Sequence, residues 1–126
     1  QFWGGYCDDY FTKERIYKTF EKTGYTLDTH TAVAVDVYEQ YVTETGDQTK
    51  TIIASTASPF KFNETVLSAL GEDSEADDFT LLTRLQEKSG MEIPASLKAL
   101  FEKEKRFEGV IDRDEMYGCV KKFLNV

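Results

Sequence analysis

A helix-dominated α/β chain, with about six helices and one short buried strand, is the fold class predicted by three observations. Apolar residues recur at helical spacing in six separate segments. One β-branched run, Lys50-Thr51-Ile52-Ile53-Ala54, lies between Gly46-Asp47 and a stretch of small residues. The 126 residues, 40% hydrophobic and 13% aromatic, supply the material for one ordinary core.

The chain opens on an aromatic lead, Phe2, Trp3, Tyr6, Tyr10 and Phe11, that reads as core or interface material. Thr12 is a candidate N-cap ahead of Lys13, Glu14 and Arg15, and Ile16, Tyr17 and Phe20 follow at helical spacing up to Gly24, so a helix is predicted over residues 12–23. A short extended connector, residues 25–28, leads to Ala32, Val33, Val35, Val37, Tyr38 and Tyr41. The three valines also fit a strand, but the length of the segment and the Glu39-Gln40 interruption favour a helix buried on most of its circumference.

Residues 50–54 have the pattern of a strand buried on both faces. A single strand cannot satisfy its own backbone, so its partners are expected outside it, in another part of the polypeptide or another chain. Pro59 suits a first helical turn, and Val66, Leu67 and Leu70 carry the apolar face of the next helix to Gly71. After an acidic connector, residues 72–78, three amphipathic segments remain. They are residues 79–88 with Leu81, Leu82 and Leu85, residues 95–103 with Leu97, Leu100 and Phe101, and residues 113–124 with Met116, Val120, Phe123 and Leu124. Pro94 and Asp112 are start signals for the last two, and the basic cluster over residues 103–106 reads as a solvated helix end. The expected core is Ile16, Phe20, Val33, Val37, Ile52, Ile53, Val66, Leu67 and Leu70. The whole is a single unit, with a motif-bearing α/β part over residues 1–71 and a helical tail over 72–126.

Charge excludes some partners. With 23 acidic against 15 basic side chains and a net charge of −8, the surface repels nucleic acid and anionic membranes alike. No apolar run approaches the ~20 residues of a membrane span. Cys7 and Cys119 are the only cysteines and have no metal-ligand spacing, which fits a reduced cytoplasmic protein and leaves a bridge between them open. A chain that starts at Gln1 reads as a processed product or an excised piece.

Two stretches could carry chemistry. Asp28-Thr29-His30-Thr31-Ala32 stands at the entrance to the second helix, with Asp28 or Thr29 as its N-cap and His30 the only histidine of the chain. No triad order or metal set can be built around that histidine. Ser55-Thr56-Ala57-Ser58-Pro59-Phe60-Lys61-Phe62 closes the strand and opens the third helix. Ligands of open α/β sheets bind beyond the carboxyl ends of strands, and small hydroxyl residues let them approach the backbone; an ordinary turn capped by Ser58 explains the same pattern. Lys61 is either a phosphate-binding cation or a solvated lysine.

Taken together, TGYTLDTHTAVAVDVYEQY and the following TIIASTASPFKF resemble the paired C-terminal motifs of the threonine synthases. There, a D-P-H-T-A-V run precedes a strand and an S-T-A-x-P-x-K-F turn. Residues 2–24 and Ile93-Pro94-Ala95-Ser96-Leu97 also resemble the family's tail. The resemblance implies a fragment of a fold-type-II, tryptophan-synthase-β-like enzyme that uses pyridoxal 5′-phosphate (PLP) to convert O-phosphohomoserine and water into threonine and phosphate. It implies that the cofactor lysine and the glycine-rich phosphate loop lie upstream, so this chain carries no catalytic residue and is inactive alone. It further implies Thr56, with Ser55, as cofactor-binding residues, Thr56 facing the pyridine nitrogen. His30 and Lys61 become candidate substrate contacts. The rest of the polypeptide is then the chain's first partner, and the face it leaves bare invites self-association. Thr29 stands where the family usually has proline, and Ser58 and Phe60 replace a histidine and a small residue of the turn. A self-sufficient helical interaction module and a threonine-synthase-like phospho-lyase are the alternatives.

Overall fold

Short acceptor side chains start most of the long helices, and left-handed glycines end several of them. The computed structural model describes residues 2–104, 106 and 108–126. Helix α1 spans Asp9–Thr23 and α2 Thr29–Thr45; a 3₁₀ turn, Pro59–Phe62, leads into α3, Asn63–Ala69. Helix α4 spans Asp78–Ser89, α5 Ala95–Lys98 with a 3₁₀ continuation Ala99–Glu102, and α6 Met116–Leu124 after the 3₁₀ turn Arg113–Glu115. All six expected helices form.

The first begins earlier than its sequence pattern suggested. Asp8, not Thr12, is the N-cap of α1: its carboxylate accepts from the Phe11 amide at 2.9 Å. Thr12 is buried one turn inside the helix, where its hydroxyl donates to the Asp8 carbonyl at 2.7 Å. The other end follows expectation, with Gly24 in the left-handed region at φ 70°, its N–H reaching the Phe20 carbonyl.

Helix α1 packs between α2 and α3, and α3 in turn packs on α4. Their shared core is Ile16, Leu27, Ala32, Phe60, Val66, Leu67, Leu70, Leu81, Leu82 and Leu85. Each fully buried leucine contributes roughly 1.5–3 kcal/mol by leaving water. Four of the expected core residues are there: Ile16, Val66, Leu67 and Leu70. Phe20 packs at the edge, and Val33 and Val37 are only half-buried. The reason is the environment of α2. Covered by α1 on one side, it is not buried around most of its circumference; Ala34, Val37, Tyr38 and Tyr41 instead line an open groove of about 900 Å³ with Phe2, Trp3, Ile52 and Ile53. The aromatic lead is accordingly exposed, though Trp3 lies edge-on to Tyr41 at 5.5 Å.

The expected strand does not form. Residues 50–54 are irregular, with no ladder partner among the described residues; Ile53 is half-buried, and Ile52 is 96% exposed. The physical cause is the one the sequence raised: a β-branched run without a neighbouring strand has nothing to pair with. The described residues are thus helical and irregular, not α/β.

An ion-pair clamp joins α1 to α2, in which Arg15 donates to Asp36 at 2.9 Å and to Glu39 at 2.7 Å. Towards the C-terminus packing thins. Met91, Ile93 and Leu97 lean on the core, but every residue of α6 is exposed. Of the basic cluster, Lys103 and Arg106 are exposed, and Lys105 lies outside the described residues. Both cysteines are free, Cys7 half-buried and Cys119 exposed. No helix among the described residues is long and apolar enough to cross a membrane.

Candidate functional site

Asp28 caps α2 from a buried position. Its side chain accepts from the amides of His30 at 2.9 Å and Thr31 at 3.2 Å through Oδ1, and from the Thr31 hydroxyl through Oδ2. Burial works to raise its pKa, but hydrogen bonds from the Thr31 hydroxyl and the two backbone amides outweigh it, so the carboxyl sits below the ordinary 3.8 and stays ionised.

The second motif meets the first at this carboxylate. Ser55 donates to Asp28 Oδ2 at 3.4 Å, with Thr31 Oγ1 3.1 Å from its hydroxyl. Residues far apart in sequence are thereby joined, and the turn is fixed to the start of α2. Thr56, next along, is exposed, and no hydrogen bond from its hydroxyl is found among the described residues.

The turn then folds as its composition dictates. Ser58 caps the 3₁₀ turn by accepting from the Phe60 amide at 3.3 Å, and Pro59 occupies the first turn, where an amide proton has no partner to lose. Pro59 and Phe60 are buried and hold the turn to the core. Lys61 is exposed and lines a second groove, about 620 Å³, with Asp77, Asp78, Phe79, Leu82, Leu97 and Leu100 among others. His30 is exposed as well; its ring lies 4.9 Å from Phe62 and its Nδ1 3.3 Å from the Thr29 hydroxyl. The structure thus ties Ser55 to the first motif and sets His30 beside the residue that follows Lys61.

The part of Thr31 was not foreseen. A signal was available in the D-x-x-T spacing, in which the fourth residue offers both an amide and a hydroxyl to the cap. The same spacing recurs at α4, where Asp77 accepts from the Phe79 and Thr80 amides, each at 3.1 Å, and from the Thr80 hydroxyl at 2.5 Å. Spacing alone could not separate the two: Asp77 is exposed, whereas Asp28 is 1% exposed and carries Ser55 as well.

What fold and site define is a helical unit presenting an anchored, hydroxyl-bearing turn at its surface. A family model described as "Threonine synthase, C-terminal" matches residues 31–123. The chain belongs to that family. The match takes in Thr31, Ser55, Thr56 and Lys61 and begins just after Asp28 and His30. No curated protein matches the chain.

Proposed function

We propose that this chain is the C-terminal portion of a cytoplasmic, PLP-dependent threonine synthase that converts O-phosphohomoserine and water into threonine and phosphate. The family match over residues 31–123 carries the reading. The turn is compatible with the cofactor: Thr56 offers a neutral, exposed hydroxyl, and the nearby Asp28 carboxylate is buried and already engaged. Bound PLP supplies an electron sink for chemistry at the substrate's carbon chain.

In this reading Thr56 hydrogen-bonds the pyridine nitrogen, with Ser55 beside it on the cofactor's wall. A hydroxyl, unlike a carboxylate, does not enforce a protonated ring nitrogen, and so moderates the electron sink. Lys61 contributes a positive charge for the substrate phosphate, and His30, its ring against Phe62, a directional contact to the substrate. The lysine that binds PLP and the loop that holds its phosphate belong to the remainder of the polypeptide. The chain alone is therefore expected to leave the visible spectrum of PLP unchanged and to make no threonine.

The test is Thr56→Val in the full-length protein. The expected outcome is a shifted spectrum of bound cofactor and a turnover about 100–1000-fold lower, the scale of one lost transition-state hydrogen bond. Unchanged spectrum and turnover would remove Thr56 from the site. Phosphate release without threonine from the unaltered protein would instead assign a phospho-lyase.

A further inference from the structure

We infer that Asp28 and Thr31 are positioning residues for Thr56, acting through the hydroxyl of Ser55; the inference rests on the cofactor reading above. The first ground is where the turn is held. Among the described residues, residues 50–57 have no strand partner, and the contacts of the Ser55 hydroxyl with Asp28 and Thr31 are the hydrogen bonds that join this segment to the helices. The remaining hydrogen bonds near it are local, such as Thr49 N–H to Asp47 at 2.8 Å and the Thr51 hydroxyl to the Thr49 carbonyl at 3.1 Å. Within the described residues, Ser55 is thus the hydrogen-bonded link between Thr56 and α2, beside the packing of Ile53, Pro59 and Phe60.

The second ground is directionality. An ionised carboxylate only accepts, and a hydroxyl has one proton to give. Thr31 donates within the cluster, to Asp28 Oδ2 or to Ser55 Oγ, and the Ser55 hydroxyl donates to Asp28 Oδ2 at 3.4 Å. A Ser55 hydroxyl so engaged has no proton to give a ligand, whereas the Thr56 hydroxyl has no hydrogen-bond partner among the described residues. This revises the expected role of Ser55: its side chain tethers, while its neighbour faces the cofactor.

The third ground is the comparison inside the molecule. The equivalent D-x-x-T cap at Asp77 is exposed and, among the described residues, accepts hydrogen bonds from its own helix alone. Burying Asp28 to 1% exposure is more than a cap requires, and the extra partner it gains is the turn residue next to Thr56.

The experiment uses the full-length protein and PLP itself, with Thr31→Val, Ser55→Ala and Thr31→Ser. In the protein freed of cofactor, Thr31→Val and Ser55→Ala are expected to speed amide hydrogen exchange over residues 50–57 about fivefold, the scale of one net hydrogen bond. With PLP added, both variants should weaken cofactor binding and shift its spectrum in the same direction as Thr56→Val, and the double variant should do no more than either single one. Thr31→Ser, which keeps the hydroxyl, should restore both readouts. If Thr56→Val shifts the spectrum while Thr31→Val and Ser55→Ala leave exchange and spectrum unchanged, the tether is overturned and the cofactor reading stands. If exchange rises in the two variants but Thr56→Val is silent, the cofactor reading fails and positioning fails with it.

Discussion

Asp28, Asp36 and Asp47 show how single side chains are tuned by what surrounds them. Burial works to raise the pKa of Asp36, but the Arg15 guanidinium and the Gln40 amide outweigh it and hold the carboxyl below its ordinary 3.8. Asp47, on the loop after α2, is lowered to about 2 by its hydrogen bonds with Thr49 first and the Tyr41 hydroxyl second. A carboxyl whose pKa is lower folded than unfolded stabilises the fold fully above its unfolded value, and that stability is lost as pH falls through the folded value. The expected outcome is a urea midpoint that is flat above about pH 5 and declines as acid titrates these groups, with the Asp47 share disappearing between 3.8 and about 2. Asp47→Asn should remove that last part of the decline. Urea titrations across this range check it, and a midpoint independent of pH below 4 would contradict it. At this scale the sequence was partly legible. Asp28 was readable as a cap because short acceptors before an apolar run favour that position, whereas its link to Ser55 depends on a fold that brings the two segments together.

Among the elements, the contrast between α3 and α6 is the sharpest. Both are short, and both carry an apolar stripe. Helix α3 is held between α1 and α4, with Val66 and Leu67 fully buried, so its stripe is the centre of the core. Helix α6 carries an equally regular stripe, yet Val120 is 55% and Phe123 75% exposed. Leu67→Ala should therefore cost about 2–5 kcal/mol in unfolding free energy, through lost burial and the cavity left behind. Phe123→Ala should stay within about 0.5 kcal/mol in the isolated chain. Equal losses from the two substitutions, measured by urea unfolding, would mean that α6 is packed in solution. The apolar period identified both helices but could not say which stripe would find a partner, since period reports the face and not the neighbour.

For the molecule as a whole, the groove on α2 and the bare stripe of α6 expose large apolar residues, including Phe2, Ile52, Phe123 and Leu124. Apolar surface that is contiguous and exposed marks a contact face. The isolated chain is expected to self-associate with rising concentration, and Ile52→Lys, which charges the groove, to shift sedimentation towards the monomer. A monomer at all concentrations would contradict this. The sequence by itself determined the six helices, most of their ends and the family motifs, because capping residues, glycines and apolar periods act within a few residues of one another. It also named the run at residues 50–54 as needing a partner, though not that the described chain would leave it unpaired. Only the tertiary structure decided that α2 is half-covered, that Thr12 is interior and Asp8 the cap, and that Asp28, Thr31 and Ser55 converge. Those outcomes depend on which surfaces meet across the chain. Local chemistry sets what each segment can become, and long-range packing selects which of its faces, donors and acceptors are used.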